Sequence, residues 1–253
     1  MTKLWSASAG NAGNSLIVLV HGSMDRSAGL LKLSRRLDSS FEVLRYDRRG
    51  YGRSVGSTGP YGMSDQVADL AELLAERSAA ERDTVVFGHS FGGDVALALA
   101  ERRPDLVSAV AVYEAPMSWL EWWPGNSAGG TALSLGDPGD AAEAFLRRLM
   151  GDIGWEQLSA TKQGTRRAEG SAMVGELADL RKQAPWSAER ILVPVLAMYG
   201  ENAKPHHQRA MNTLAATLGD CQAEPIENAG HFGPYSHPDL VAGRLINFIE
   251  SVG

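Results

Sequence analysis

Short runs of apolar, largely β-branched residues recur at 16–20, 43–46, 84–88, 107–113 and 193–199, each bounded by polar or Gly-containing segments. Continuous runs of this length read as strands buried on both faces, because a half-exposed strand would alternate apolar and polar positions. Between them the apolar positions change to a helical spacing at 28–37, 64–77, 91–102, 206–218 and 240–251, with Ser64 and Asp239 placed as N-cap or first-turn residues. The alternation predicts an α/β chain of the doubly wound kind, a mostly parallel central sheet flanked by helices.

The rhythm breaks between 115 and 190, where no strong strand is seen and helical spacing appears near 140–150 and 166–182. Structureless loops of such length are uncommon in compact domains. The stretch 115–190 is therefore read as a small helical cap inserted into a core made of 1–114 and 191–253. Five of the six tryptophans fall inside it, so they either pack the cap onto the body or face a ligand; Trp119, Trp122 and Trp123 are the substrate-binding candidates.

Composition narrows the partners. A formal net charge of −6, with no Lys/Arg run beyond pairs such as Arg48-Arg49, argues against nucleic acid or an anionic membrane and toward a small molecule. The first apolar run, 16–20, is too short for a signal segment or a membrane span, and the single Cys221 offers no internal disulfide, so a cytoplasmic location is expected. His206 and His207 project about 100° apart on a helix with no Cys or carboxylate cluster to complete a site. No phosphate-cradling Gly-rich motif is present, and neither metal nor cofactor is expected.

The pattern Gly-x-Ser-x-Gly occurs three times, at 52–56, 88–92 and 125–129. A nucleophile elbow requires it between a strand and a helix, where the turn is so tight that flanking side chains would clash. Only the second match follows an apolar run, Thr84-Val85-Val86-Phe87, and opens a strong helix, which makes Ser90 the candidate nucleophile. The backbone N–H of the next residue, Phe91, is then one donor for a developing oxyanion.

His21-Gly22-Ser23, Asp47-Arg48-Arg49-Gly50-Tyr51-Gly52-Arg53-Ser54, Gly88-His89-Ser90-Phe91-Gly92-Gly93 and Gly230-His231-Phe232 follow one another in an order and spacing that resembles the α/β-hydrolase family. The resemblance covers the chain except the insertion, and implies that the insertion is a cap following the family's sixth strand. It further implies His231 as the base of a catalytic triad, Ser23 as the second oxyanion donor with Met24 as the alternative, and a structural turn at 47–54. In the commonest family pattern the acid lies three residues after a glycine beyond the seventh strand; Gly200-Glu201-Asn202-Ala203 puts an alanine there. Two substitutes remain: Glu114, directly after the 107–113 strand, is the favoured acid, and Glu201 is the runner-up.

The expected activity is that of a cofactor-independent, carboxylesterase-like serine hydrolase, cleaving a small carboxylic ester or related acyl substrate through an acyl-Ser90 intermediate. The same residues would serve a carbon–carbon bond hydrolase, lactonase, thioesterase or perhydrolase, and the same fold also serves small-molecule receptors, so these readings stay open.

Overall fold

The computed structural model describes residues 4–252. Its seven strands are β1 (Ser6–Ala9), β2 (Leu16–Val20), β3 (Glu42–Tyr46), β4 (Thr84–His89), β5 (Ala109–Tyr113), β6 (Val195–Gly200) and β7 (Cys221–Ile226). They form one sheet in the order β1-β3-β2-β4-β5-β6-β7, in which β1 alone runs antiparallel. The central strands β2, β4 and β5 are buried along their whole length, as continuous apolar runs require.

Alternate side chains of each strand feed two separate cores. Ile17, Leu19, Val85 and Phe87 pack against α1 (Leu31–Leu37) and α10 (Pro238–Val252). Val18, Val20, Val86 and Val112 face α2 (Met63–Ala75), α3 (Phe91–Arg102) and α8 (Pro205–Thr217). Helices on both faces leave the carboxyl ends of the parallel strands as the place where loops converge. No helix among the described residues is long and apolar enough to cross a membrane.

Between β5 and β6 the chain forms α4 (Ala128–Leu133), α5 (Pro138–Glu156), α6 (Ala160–Ala168) and α7 (Gly170–Leu180). Counted along this chain the insertion leaves the fifth of seven strands. The helical spacing near 140–150 stops where α5 breaks, at Gly151 with φ +79°. The spacing near 166–182 spans two helices that part at Glu169, which ends α6 and begins α7.

Buried carboxylates on or beside α7 tie this insertion to the core. The fully buried Glu169 accepts from Arg26 Nη2 (2.7 Å) and the Gly52 N–H (2.9 Å). One helical face further on, the fully buried Glu176 accepts from Arg48 Nη1 and from the Tyr51 hydroxyl, both at 2.6 Å. Asp179 Oδ2 then accepts the N–H of Met63 at the start of α2 (2.9 Å). A short α9 (Gly233–Ser236) precedes α10.

Candidate active site

Ser90 lies at the turn from β4 into α3 with φ +52° and ψ −129°, a conformation that costs a non-glycine residue of order 1–3 kcal/mol. The turn closes through Ser90 N–H to Tyr113 O (2.8 Å) and Gly93 N–H to Ser90 O (2.7 Å). Its two glycines are sterically obligatory: a Cβ on Gly88 would lie 2.2 Å from Gly92 O, and one on Gly92 would lie 2.3 Å from Val20 O. The other two matches to the motif have ordinary local roles. Ser54 Oγ accepts the Trp5 N–H (2.9 Å), and Ser127 caps α4 by accepting the Gly130 N–H (3.3 Å).

At the neighbouring strand end, Glu114 is completely buried. Its Oε1 accepts the Gly200 N–H (2.9 Å), and its Oε2 lies 2.7 Å from His231 Nδ1. Glu201 is placed elsewhere: it is exposed, and its carboxylate accepts the Asn228 N–H (3.1 Å). The runner-up position for the acid is therefore not in contact with the imidazole.

His231 is fixed from several sides. His89 Nε2 lies 2.8 Å from the His231 carbonyl oxygen, and its Nδ1 lies 2.8 Å from the Tyr235 hydroxyl. Burial, with His231 nearby, holds His89 well below the usual histidine range, so its ring carries one proton. That proton belongs on Nε2, since a carbonyl can only accept, which leaves Nδ1 unprotonated against the Tyr235 hydroxyl. Tyr235 is bonded in turn to Asp25, whose carboxyl is raised by burial.

Ser90, His231, Ser23 and Phe91 all line one cavity of about 260 Å³, roofed in part by residues of the insertion. No hydrogen bond joins Ser90 to His231 among the described residues; such contacts often tighten only when substrate is bound. The Phe91 N–H, at the first position of α3, belongs to the turn that lacks intrahelical acceptors.

The Ser23 N–H is oriented through its own peptide group. Gly22 O receives His21 Nδ1–H (2.8 Å) and Arg48 Nη2–H (3.1 Å), and the trans peptide directs the Ser23 N–H the opposite way. Arg48 Nε also donates to His21 O, and the Arg48 N–H donates to His21 Nε2, both at 2.9 Å. Burial, with Arg48 adjacent, keeps His21 well below its ordinary range, consistent with a neutral ring that donates at one nitrogen and accepts at the other. A Cβ on Gly22 would lie 3.0 Å from Ser90 Cβ and 3.2 Å from His89 O, tighter than most side-chain contacts. Met24, the alternative donor, at φ +56°, lines an adjoining cavity that Ser23, Ser90 and His231 also border, with its carbonyl accepting from Arg166 (3.0 Å).

Three sequence expectations change. Of the candidate tryptophans, Trp123 is in the cavity wall, whereas Trp119 and Trp122 are outside it. Trp119 packs edge-on against Trp186 (5.6 Å), and Trp122 lies against Trp123 and beneath the Arg209 guanidinium (4.3 Å); all three candidate rings belong to the irregular segment 115–127 that precedes α4, where no helical period sets which ring faces inward. The His206-His207 pair does have a carboxylate neighbour, contributed by a distant strand: His207 Nδ1 is 3.8 Å from Glu114 Oε2.

Donor atoms of Glu114, His207 and His231 lie within 4.8 Å of one another, a grouping that could hold a cation. Any ion there would have to break the 2.7 Å contact between Glu114 and His231. His207 also stacks on His231 (4.7 Å, 28°), and burial and the neighbouring imidazoles hold it well below the usual range. Its position beside His231 was missed from sequence; the available signal was its place in the first turn of α8, shortly after β6 and four residues beyond Ala203.

The model of the alpha/beta hydrolase family matches residues 17–244. A 2-(acetamidomethylene)succinate hydrolase from Mesorhizobium japonicum is 26% identical, over 93% of this chain and 88% of its own. A carboxylesterase from Bacillus subtilis is 23% identical, over 92% and 79%. Among solved structures, an alpha/beta hydrolase from Sphaerobacter thermophilus superposes with a TM-score of 0.70 at 26% identity, covering 97% of this chain and 96% of that one. An enol-lactonase from Burkholderia xenovorans, at 21% identity and a TM-score of 0.75 over 98% and 96%, shares the fold. With an elbow serine, a sheet of matching topology and a family match across nearly the whole chain, this protein belongs to the alpha/beta hydrolase family.

Proposed function

We propose that the protein is a cofactor-independent serine hydrolase acting on a small carboxylic ester or related acyl compound. Ser90 Oγ attacks the carbonyl carbon while His231 takes its proton, and Glu114 stabilises the imidazolium through Nδ1–H. The N–H groups of Phe91 and Ser23 receive the developing oxyanion. His231 returns the proton to the leaving group, water then attacks the acyl-Ser90 carbonyl with His231 as base, and the acid is released. The reading rests above all on the 2.7 Å contact between Glu114 and His231, whose imidazole borders the same cavity as the strained Ser90. Its hydrolase relatives, among them a carboxylesterase, support the reaction class.

The test is labelling by a fluorophosphonate probe together with turnover of short p-nitrophenyl esters. Labelling should map to Ser90, and Ser90→Ala should lower turnover by several powers of ten while keeping the fold. Undiminished activity in that variant excludes the mechanism, and labelling of the wild type without turnover favours a receptor.

A further inference from the structure

One end of the cavity carries positive charge that the proposed acyl chemistry does not use. Arg148, Arg181 and Lys204 lie in the wall, and no Asp or Glu does among the described residues. None of the three forms an ion pair with a carboxylate among those residues. Arg148 Nη2 donates to Asn126 O (2.9 Å) and Arg181 Nη2 to Ser127 Oγ (3.2 Å). Because Asn126 and Ser127 are consecutive, the two guanidinium groups sit at the same end of the cavity.

Arg181 is the more telling of the two. It is partly buried at the end of α7, and its second bond is a long one to Leu177 O (3.3 Å). Burial lowers its pKa, yet a guanidinium remains charged at any working pH. Two of its five N–H groups are thus spent on weak neutral acceptors, and its charge is partly withdrawn from water without a carboxylate counter-ion among the described residues. The backbone leaves it room: a Cβ on Gly129 would lie 3.1 Å from Arg181 Nη2. A second polar feature lies in the same wall, the buried Ser118 Oγ, which has no hydrogen-bond partner. A buried hydroxyl that borders a cavity is free to pair with a polar group of whatever fills it, a ligand or water.

We infer that the substrate carries a free carboxylate remote from the scissile bond and that Arg181 anchors it, with Arg148 alongside. This deepens the hydrolase reading and rests on it. A planar carboxylate matches the guanidinium fork with two parallel hydrogen bonds, and pairing would supply the counter-ion Arg181 lacks. A phosphate monoester offers the same oxyanion chemistry and is distinguished in the test.

The probes are monomethyl glutarate and methyl pentanoate, which differ by a terminal carboxylate in place of a methyl group. Wild-type kcat/KM should favour the acidic ester at least tenfold, and Arg181→Met should reduce that ratio about 10- to 100-fold, the range expected for a charge-assisted pair. Arg181→Lys should restore part of it. A wild-type preference for the neutral ester overturns the inference, as does a ratio unchanged by Arg181→Met.

Calorimetry supplies an arm that needs no turnover and reads the wild type alone should Arg181→Met fail to fold. Glutarate should bind the wild type more tightly than glutaramide or inorganic phosphate; equal binding of glutarate and glutaramide, or tighter binding of phosphate, counts against a carboxylate site. Absence of turnover on both esters together with no probe labelling at Ser90 would sink the hydrolase reading, while glutarate binding would still report on the anion site.

Discussion

The sheet core and the helical insertion are held together by different physics. Within the core, neighbouring elements meet through apolar surface coded locally: Ile17 and Leu19 serve one face of β2, Val18 and Val20 the other. The insertion shares the second of these cores, on the Val18 and Val20 face, through Met173, Leu177 and Leu180, and is attached in addition by buried carboxylates, Glu169 and Glu176, whose partners lie 143 and 128 residues away in sequence. Apolar contact is tolerant of which neighbour is met, whereas an ion pair withdrawn from water demands one partner in one geometry. The core thus provides the proposed reacting groups. The insertion is docked at a defined place, and the arginine that docks it, Arg48, also holds the peptide that presents the Ser23 N–H.

The largest effect should arise wholly within the core. Glu114→Gln keeps the size of the side chain but cannot stabilise the imidazolium, and turnover should fall on the order of 10³–10⁴-fold with the fold retained. Glu201→Gln should change turnover by less than about threefold, since its carboxylate contacts only a backbone N–H remote from the imidazole. Steady-state kinetics on a p-nitrophenyl ester, with circular dichroism as the check on folding, decide between the two carboxylates. The opposite ranking would remove Glu114 from the mechanism.

Next in size is the joint between the regions. Glu176→Gln leaves Arg48 charged, fully buried and without a carboxylate, a change that costs about 3–5 kcal/mol. The melting temperature should fall by roughly 10 °C, at about 2–4 °C per kcal/mol for a chain of this size. Glu169→Gln should cost less, because Arg26 is 29% exposed and can turn to water. Replacing both partners, Arg48→Met with Glu176→Leu, should recover most of the stability but not the activity, since Gly22 O and His21 O lose the donors that orient the oxyanion loop. Full recovery of activity would show that Arg48 is only a docking residue.

The same contrast explains what could be read from sequence. The buried strands announced themselves as apolar runs, and the elbow through its strand–turn–helix setting. β1 did not, because Ser6–Ala9 contains no large apolar residue and is held as an edge strand by backbone bonds to β3 alone. β7, with Gln222, Glu224 and Pro225 in an edge position, is equally faint. The contact between Glu114 and His231 was legible only because an alanine, Ala203, stands where the family resemblance implies the acid and a carboxylate stood at the next strand end. Which of three tryptophans faces the cavity was not legible, since the irregular segment 115–127 has no period from which to read it, and neither was the proximity of His207 to His231, which requires the start of α8 to meet the loop after β7.

The smallest expected effect concerns His207, where the regions touch: Trp123 of the insertion packs edge-on against it (5.3 Å) while its other neighbours, His206, His231 and Glu114, belong to the core. Burial, reinforced by the nearby imidazoles and Lys204, holds its folded-state pKa well below the 6.5 of an unfolded chain. Between those two values the unfolded chain binds a proton that the folded one excludes, so acidification favours unfolding. The contribution of His207 to stability is therefore fully present above pH of about 6.5 and eroded as pH falls below it, at no more than about 1.4 kcal/mol per pH unit. His207→Gln lacks this titration. Other groups, among them Asp94 and Asp25 with raised values, titrate in both proteins and largely cancel in the comparison. The difference in melting temperature, wild type minus variant, should thus shrink by about 2–4 °C for each unit of pH lost between 6.5 and 5. Scanning calorimetry at pH 8, 6.5 and 5 measures it. A difference independent of pH would mean that His207 admits a proton in the folded state as readily as in the unfolded one, and that Trp123 and the core do not seal it from water.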